Sequence, residues 1–262
     1  GEAGRTFHHI KGEIVKSLLS VGYSYYYLKS RLRKARCNQT MAWIIGSSYA
    51  AQGIHDADKT WIANLSAPSQ DLFCDSGIIK HILESAEAEC RNCVLILGYY
   101  ALYDDISRAG QQMADIMRVT YEPLIGFAHH FSGFKFDIVA ECKMQYPVLD
   151  DDRMKECEDW IEEFFRNHNY FNEIYTRENN DKDYERPWVQ LSQTEKEKVG
   201  KDRAQKHNHL KTHSDIKEEN IDILRELLEQ LTEKGIRPIV IIPPFTEQYL
   251  HWLDPQFKRE FL

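Results

Sequence analysis

The sequence predicts an α/β fold: a three-layer sandwich with a central, mostly parallel sheet and a helical insertion in the middle of the chain. Three observations predict it. Apolar runs of strand length recur, at Trp43-Ile44-Ile45, at "CVLILGYY" from Cys93 and at "GIRPIVIIPP" from Gly235. Segments with helical spacing of their apolar residues separate them. Each strand-plus-helix unit spans roughly 30 residues, the length of a parallel crossover. With 262 residues, 42% of them hydrophobic, the chain can bury a sizeable core.

Residues 1–40 read as an N-terminal helical segment. "KSLLSVGYSYYYLKSRLRKARCNQT" places apolar and aromatic residues near helical spacing, and five cations, Lys29, Arg31, Arg33, Lys34 and Arg36, cluster at its end. A solvated basic face is the plain reading. Association of this basic helix with an anionic membrane surface is the sharper one. From 41 to 262 the pattern is that of one α/β domain. Its first strand is Trp43-Ile44-Ile45, followed by a short second strand at Trp61-Ile62-Ala63 and the loop "NLSAPSQDL". The segment "DLFCDSGIIKHILESAEAE" then puts Leu72, Ile79, Ile82 and Leu83 on one helical face, with Ser69 as the expected cap. The third strand follows from Cys93.

The stretch from about 101 to 206 is less regular and is read as the helical insertion. Its clearest helix is "LDDDRMKECEDWIEEFFRNH", whose acidic face is expected to be solvated, and the polar run 176–208 reads as loop and exposed helix. The regular pattern returns with a helix capped near Ser214, carrying Ile221, Leu224, Leu228 and Leu231 and closed by Gly235. A buried strand through Ile239 to Ile242 ends at Pro243-Pro244.

The charge balance, 33 basic against 41 acidic residues for a net −8, argues against a general nucleic-acid binder. No run reaches the roughly 20 apolar residues needed to cross a bilayer, so a cytoplasmic chain is expected. Six cysteines in a chain this long read as free thiols rather than a disulfide framework. The lone Cys90-x-x-Cys93 lacks a second ligand pair, and a His207/His209/His213 metal site has weak spacing, so no metal or cofactor is expected. His129-His130 read as pocket-lining residues.

In open parallel sheets the ligand crevice lies beyond the carboxyl ends of the strands. Here those exits read "GSSYA", "NLSAPSQD", "GYYALYDD" and "PPFTEQY", rich in hydroxyls and amides. A serine at a tight strand-to-helix exit can act as a nucleophile; equally, Ser47 or Ser48 can simply cap the next helix.

The order of "IIGSSYA", "NLSAPSQD", "LGYY" and "GIRPIVIIPP" resembles the SGNH/GDSL hydrolase superfamily, near its DltD-like and cell-envelope polysaccharide acyltransfer branch. The resemblance covers about residues 40–100 and 215–250. It implies a flavodoxin-like sheet and a serine-dependent acyl-ester hydrolase or O-acyltransferase acting on a cell-surface glycan or its precursor. Gly46-Ser47-Ser48 stand where the superfamily has Gly-Asp-Ser, which makes Ser48 the implied nucleophile. Asn64 to Ser66 stand at the glycine of the oxyanion hole, with Ser66 supplying the N–H, and Gln70 adds a further donor near the site. Gly98-Tyr99-Tyr100 replace Gly-Asn-Asp, so the asparagine donor is missing; Tyr99, Tyr100 and Tyr249 are expected to face the crevice as substrate-binding residues.

The superfamily's late Asp-x-x-His has no counterpart. His251 and Asp254 occur in reversed order, and His207 is the other candidate base. Either the domain is truncated at Leu262 and the motif lies beyond it, or the triad is not of the usual kind. A catalytically inactive glycan- or protein-binding descendant is the alternative. A nucleotide-binding Rossmann domain is disfavoured because "GSSYAAQG" lacks the Gly-x-Gly-x-x-Gly turn.

Overall fold

The computed structural model describes residues 2–85, 89–126, 129–131, 135–179 and 188–262. Four strands form one parallel sheet: β1 Ala42–Gly46, β2 Ile62–Asn64, β3 Asn92–Ile96 and β4 Arg237–Ile241. Their order is β2-β1-β3-β4, with Ala42 opposite both Ile62 and Asn92, and Asn92 opposite Arg237. The helices are α1 Glu2–Ala35, α2 Ser48–Gly53, α3 Leu72–Ser85, α4 Gln111–Ile116, α5 Glu122–Ile125, α6 Ile138–Gln145, α7 Asp151–Asn167, α8 Glu173–Asn179, α9 Gln193–His209, α10 Ser214–Glu233, α11 Glu247–Trp252 and α12 Pro255–Phe261. The chain is thus α/β with an all-parallel sheet. Among the described residues the block between β3 and α10 carries no strand.

Alternation along the strands sends Trp43, Ile45, Ala63, Cys93 and Leu95 into the main core, which α1, α3, α7 and α10 complete. The opposite face buries only Ala42, Ile44, Ile62 and Ile96 against Ala50 of α2. The fourth strand was expected to be buried. Instead Val240 and Ile241 are 45% and 43% exposed on β4, one edge of the sheet, whereas β2 at the other edge is buried. All six cysteines are free thiols, five of them buried.

The long α1 is integral to the core, and its cations are spent on partners. Lys11 pairs with Glu156, Lys29 with Glu158 and Arg33 with Glu162, so the acidic face of α7 meets the basic face of α1. Neither face is merely solvated. Arg31 is buried and holds Asp56 at 2.9 Å, while its other nitrogens donate to the carbonyls of Phe165 and His168. Lys34 also reaches Asp56. No helix among the described residues is long and apolar enough to cross a membrane.

Two expected caps move. Ser69 sits in a turn at φ 63°, and the first turn of α3 is held by Asp71, whose Oδ1 accepts the Cys74 N–H at 2.9 Å. At α10, Ser214 is the first helical residue and no side chain caps it. The expected polar loop and exposed helix resolve in their described part into α9, opened by a Ser192/Glu195 capping box; residues 180–187 lie outside the described residues.

Candidate functional site

In this strand order the crossovers leave β1 toward β2 on one side and reach β3 and β4 on the other, so the topological switch point lies between β1 and β3. Their last residues, Gly46 and Ile96, are paired in register. Gly46 has φ 136°, and a Cβ there would stand 2.4 Å from the Ile96 carbonyl oxygen, so only glycine lets the chain turn out of the sheet at this point.

The turn delivers Ser47 and Ser48. Ser47 precedes α2 but its side chain makes no capping bond; its hydroxyl is a hydrogen-bond partner of Tyr100 instead. Ser48 opens α2, is half-buried, and has no hydrogen-bond partner for its hydroxyl among the described residues. Ser47 thus holds the N-cap position of α2 through its backbone alone, its carbonyl accepting the Ala50 and Ala51 N–H groups, and neither serine side chain caps the helix.

Behind Ser47 lies a small cavity of about 20 Å³, lined by Ser47, Gln70, Asp71, Asp75, Gly98, Tyr100 and Asp104. That volume holds about one water. It is too small for an acyl group, and the partly exposed Ser48 is not among its lining residues.

Three carboxyl groups face this space without a cation for any of them among the described residues. Burial, reinforced by Asp71, pushes Asp75 up to about 7 even though Gln70 donates to its Oδ1 at 2.6 Å; its Oδ2 is buried without a partner. Asp104 rises to about 8, from burial first and then from Asp71 and Asp105. Asp71 also rises with burial, and its two oxygens accept the N–H groups of Cys74 and Ile106.

The resemblance pointed to neither Asp71, Asp75 nor Asp104. A signal was present in "DLFCD": two aspartates four apart at the start of the helix after β2 face the same strand ends as the serines.

Of the candidate bases, the fold brings in His207. It stacks on the Tyr100 ring at 3.7 Å, and its Nδ1 lies 2.6 Å from the Tyr249 hydroxyl. Gly200 makes this possible, since any Cβ there would fall 2.7 Å from the backbone of Gln248 and hold α9 away from α11. Burial, with Arg203 and Lys206 nearby, lowers the His207 pKa to about 3, so the ring is neutral.

His251 and Asp254 do not come to the site. His251 is exposed beside Trp252, and Asp254 caps α12 through the Gln256 N–H while holding Lys211 at 2.5 Å. The oxyanion reading of Ser66 also fails geometrically. Its N–H donates to Asn64 Oδ1 at 3.2 Å and the residue is wholly buried. Asn64 is a brace as well, its amide nitrogen donating to the Ala50 and Ile54 carbonyls at the end of α2. Gln70 is internal, bonded to Leu65, Asp75 and Tyr121. Tyr99 packs on Phe245 and Phe261. His209 and His213 face each other at 6.5 Å, apart from His207's contacts.

No family model, curated protein or solved structure matches this chain.

Proposed function

We propose that the chain carries a serine-dependent acyl-ester hydrolase or O-acyltransferase site at the exits of β1 and β3, with Ser48 as the nucleophile. The observation that carries this reading is the serine pair at the switch point. Neither side chain is used in capping, and the partly exposed Ser48 hydroxyl has no hydrogen-bond partner among the described residues. In the proposed reaction Ser48 Oγ attacks the acyl carbonyl, its proton passes to a neighbouring base, and the alcohol leaves. Water or an acceptor hydroxyl then takes the acyl group from the serine.

Two candidate bases lie around the serine turn: Asp75 lines the cavity behind Ser47, and His207 stacks on Tyr100, the hydrogen-bond partner of Ser47. His207 is neutral and able to accept a proton, but at about 3 it is a weak acceptor. Asp75, near 7, is better matched to neutral pH. A cell-surface glycan or its precursor as the acceptor, and a cytoplasmic place of action, follow from the resemblance alone.

Turnover of p-nitrophenyl acetate or butyrate tests the reading. Ser48→Ala should lose ~10³-fold or more in kcat/KM. A rising limb of the pH profile near 7 that disappears in Asp75→Asn assigns the base to Asp75; a flat profile down to the acid limit assigns it to His207. Unchanged turnover in Ser48→Ala overturns the proposal.

A second reading, a non-catalytic glycan- or protein-binding domain on this fold, is favoured by one specific observation. The Ser66 N–H and the Asn64 amide are both engaged internally, which leaves the oxyanion of an attacked ester without those two donors.

A further inference from the structure

A second cluster of chemically capable side chains lies outside the serine turn. Asp105 follows the cavity-lining Asp104, and the 129–130 turn folds back onto it. His129 Nδ1 is 3.3 Å from Asp105 Oδ1 and His130 Nδ1 is 2.7 Å from Asp105 Oδ2. The ligand-type atoms of Asp105, His129 and His130 all lie within 4.8 Å of one another. On the far side of both rings stands Glu219 of α10, 3.0 Å from His129 Nε2 and 3.3 Å from His130 Nε2.

Three features exceed what a plain salt-bridge cluster needs. His129 is 5% exposed and Asp105 fully buried, yet His129 Nδ1 is not aligned for a hydrogen bond and is left without one. The two imidazoles are stacked at 4.0 Å, with Phe73 stacked on His129 at 3.9 Å, so their nitrogens are held in parallel rather than free to reorient. His129 adopts φ 50°, a left-handed conformation unusual for a residue with a side chain, and this turn is what brings adjacent rings to one side.

We propose that Asp105, His129 and His130 form a three-ligand site for a first-row divalent transition-metal ion, of which Zn²⁺ is the reference. Both Nδ1 atoms and one Asp105 oxygen are the ligands. Two imidazoles and a carboxylate suit zinc or its neighbours better than magnesium or calcium, which prefer all-oxygen sets. Glu219 is then the outer carboxylate that accepts both Nε2–H groups, fixing each ring in the tautomer that offers Nδ1 to the metal.

Asp105 is itself held by the Ser107 N–H at 2.9 Å and by the Ser107 hydroxyl, as a ligating carboxylate would be. The charges agree. Among the described residues, Asp105, Glu219 and Asp215 carry three negative charges against the cation Arg108, which lies 3.4 Å from Asp105 and 2.6 Å from Asp215 and donates from Nε to His130 Nδ1 at 3.2 Å, the contact that a bound metal ion displaces. The remaining two negative charges match a divalent ion. Three protein ligands leave a fourth position, on the side where His130 is 30% exposed, for water or a ligand group.

The experiment is a titration of chelator-treated, dialysed protein with ZnCl₂ by calorimetry, and with CoCl₂ by visible absorption. The proposal predicts one equivalent bound at micromolar affinity or tighter, visible bands of nitrogen- and oxygen-ligated Co²⁺, and a melting temperature that rises with Zn²⁺. His130→Ala, at a partly exposed position and with its folding checked by circular dichroism, should abolish all three. Glu219→Gln should weaken affinity about 10- to 100-fold without changing stoichiometry. Absence of binding overturns the proposal, and so does an ion that binds His130→Ala as tightly as the unaltered protein, because it would then sit elsewhere.

Discussion

The α1–α7 interface and the strand-end site both concentrate charge, and they treat it in opposite ways. Along α1 four carboxylates meet cations: Glu156 with Lys11, Glu158 with Lys29, Glu162 with Arg33, and Asp56 with the buried Arg31. At the strand ends Asp71 and Asp75 are buried and Asp104 is partly buried around one small cavity, with amides and a glutamine for partners, and all three are pushed up in pKa. Paired charges fix one helix on another. Unpaired buried acids work against the fold, and their presence beside the Ser47–Ser48 turn is what the proposed site there rests on, together with the serine pair.

The sharpest way to break this contrast is to unpair a charge on the structural side. Asp56→Ala leaves Arg31 buried with no carboxylate and should cost about 3–5 kcal/mol in urea unfolding. Replacing the pair together, Arg31→Met with Asp56→Leu, should recover most of that loss. If Asp56→Ala is neutral, the interface does not depend on its buried pair.

Removing a charge on the other side should do the reverse. The folded-state pKa of Asp75 lies near 7 against an ordinary 3.8, so the protonated acid is the form the fold prefers. Its favourable contribution is complete below about 4 and is lost as pH rises through 7. Asp75→Asn, which keeps an acceptor for Gln70, should therefore be more stable than the unaltered protein at pH 8, by roughly 2 kcal/mol, and near parity at pH 4. Asp71 and Asp104 face the same space and retain part of the pH dependence. Thermal melts at the two pH values decide it; a variant destabilised at pH 8 would show that the carboxylate is paired after all.

The smallest effect belongs to the outer rim of the helix interface. The Lys11–Glu156 pair lies at 2.5 Å with Glu156 about half-exposed, and Glu156→Gln should cost under about 1 kcal/mol. A larger loss would mean that the α1–α7 charges act as a network rather than as separate pairs.

How much of this was legible in the letters follows from what each signal encodes. Runs such as Trp43-Ile44-Ile45 and Ile239-Val240 encode strand and apolar face, and the crossover spacing encodes parallel order. All four strands form, in one parallel sheet. Local letters do not encode which neighbour covers a face. Ile239–Ile241 read as buried, yet they form the sheet edge, and Arg31 looked like its solvated neighbours although it is buried on Asp56.

The candidate site divides the same way. Ser47 and Ser48 were legible as a strand exit, and His207 reaches the strand ends through α9. Asp254 and Ser66 were assigned roles by position in the chain. Both are consumed locally, one by a helix start and a lysine, the other by Asn64. Whether a donor or acceptor is still available depends on its three-dimensional neighbours, which spacing cannot report.

The central claim is that Ser48 carries a reactive hydroxyl. Incubation with a fluorophosphonate followed by intact-mass and peptide mass spectrometry tests it without knowledge of the natural ester. One phosphonyl adduct on Ser48, absent from Ser48→Ala, is the predicted result. No adduct, or one that persists in Ser48→Ala, contradicts it.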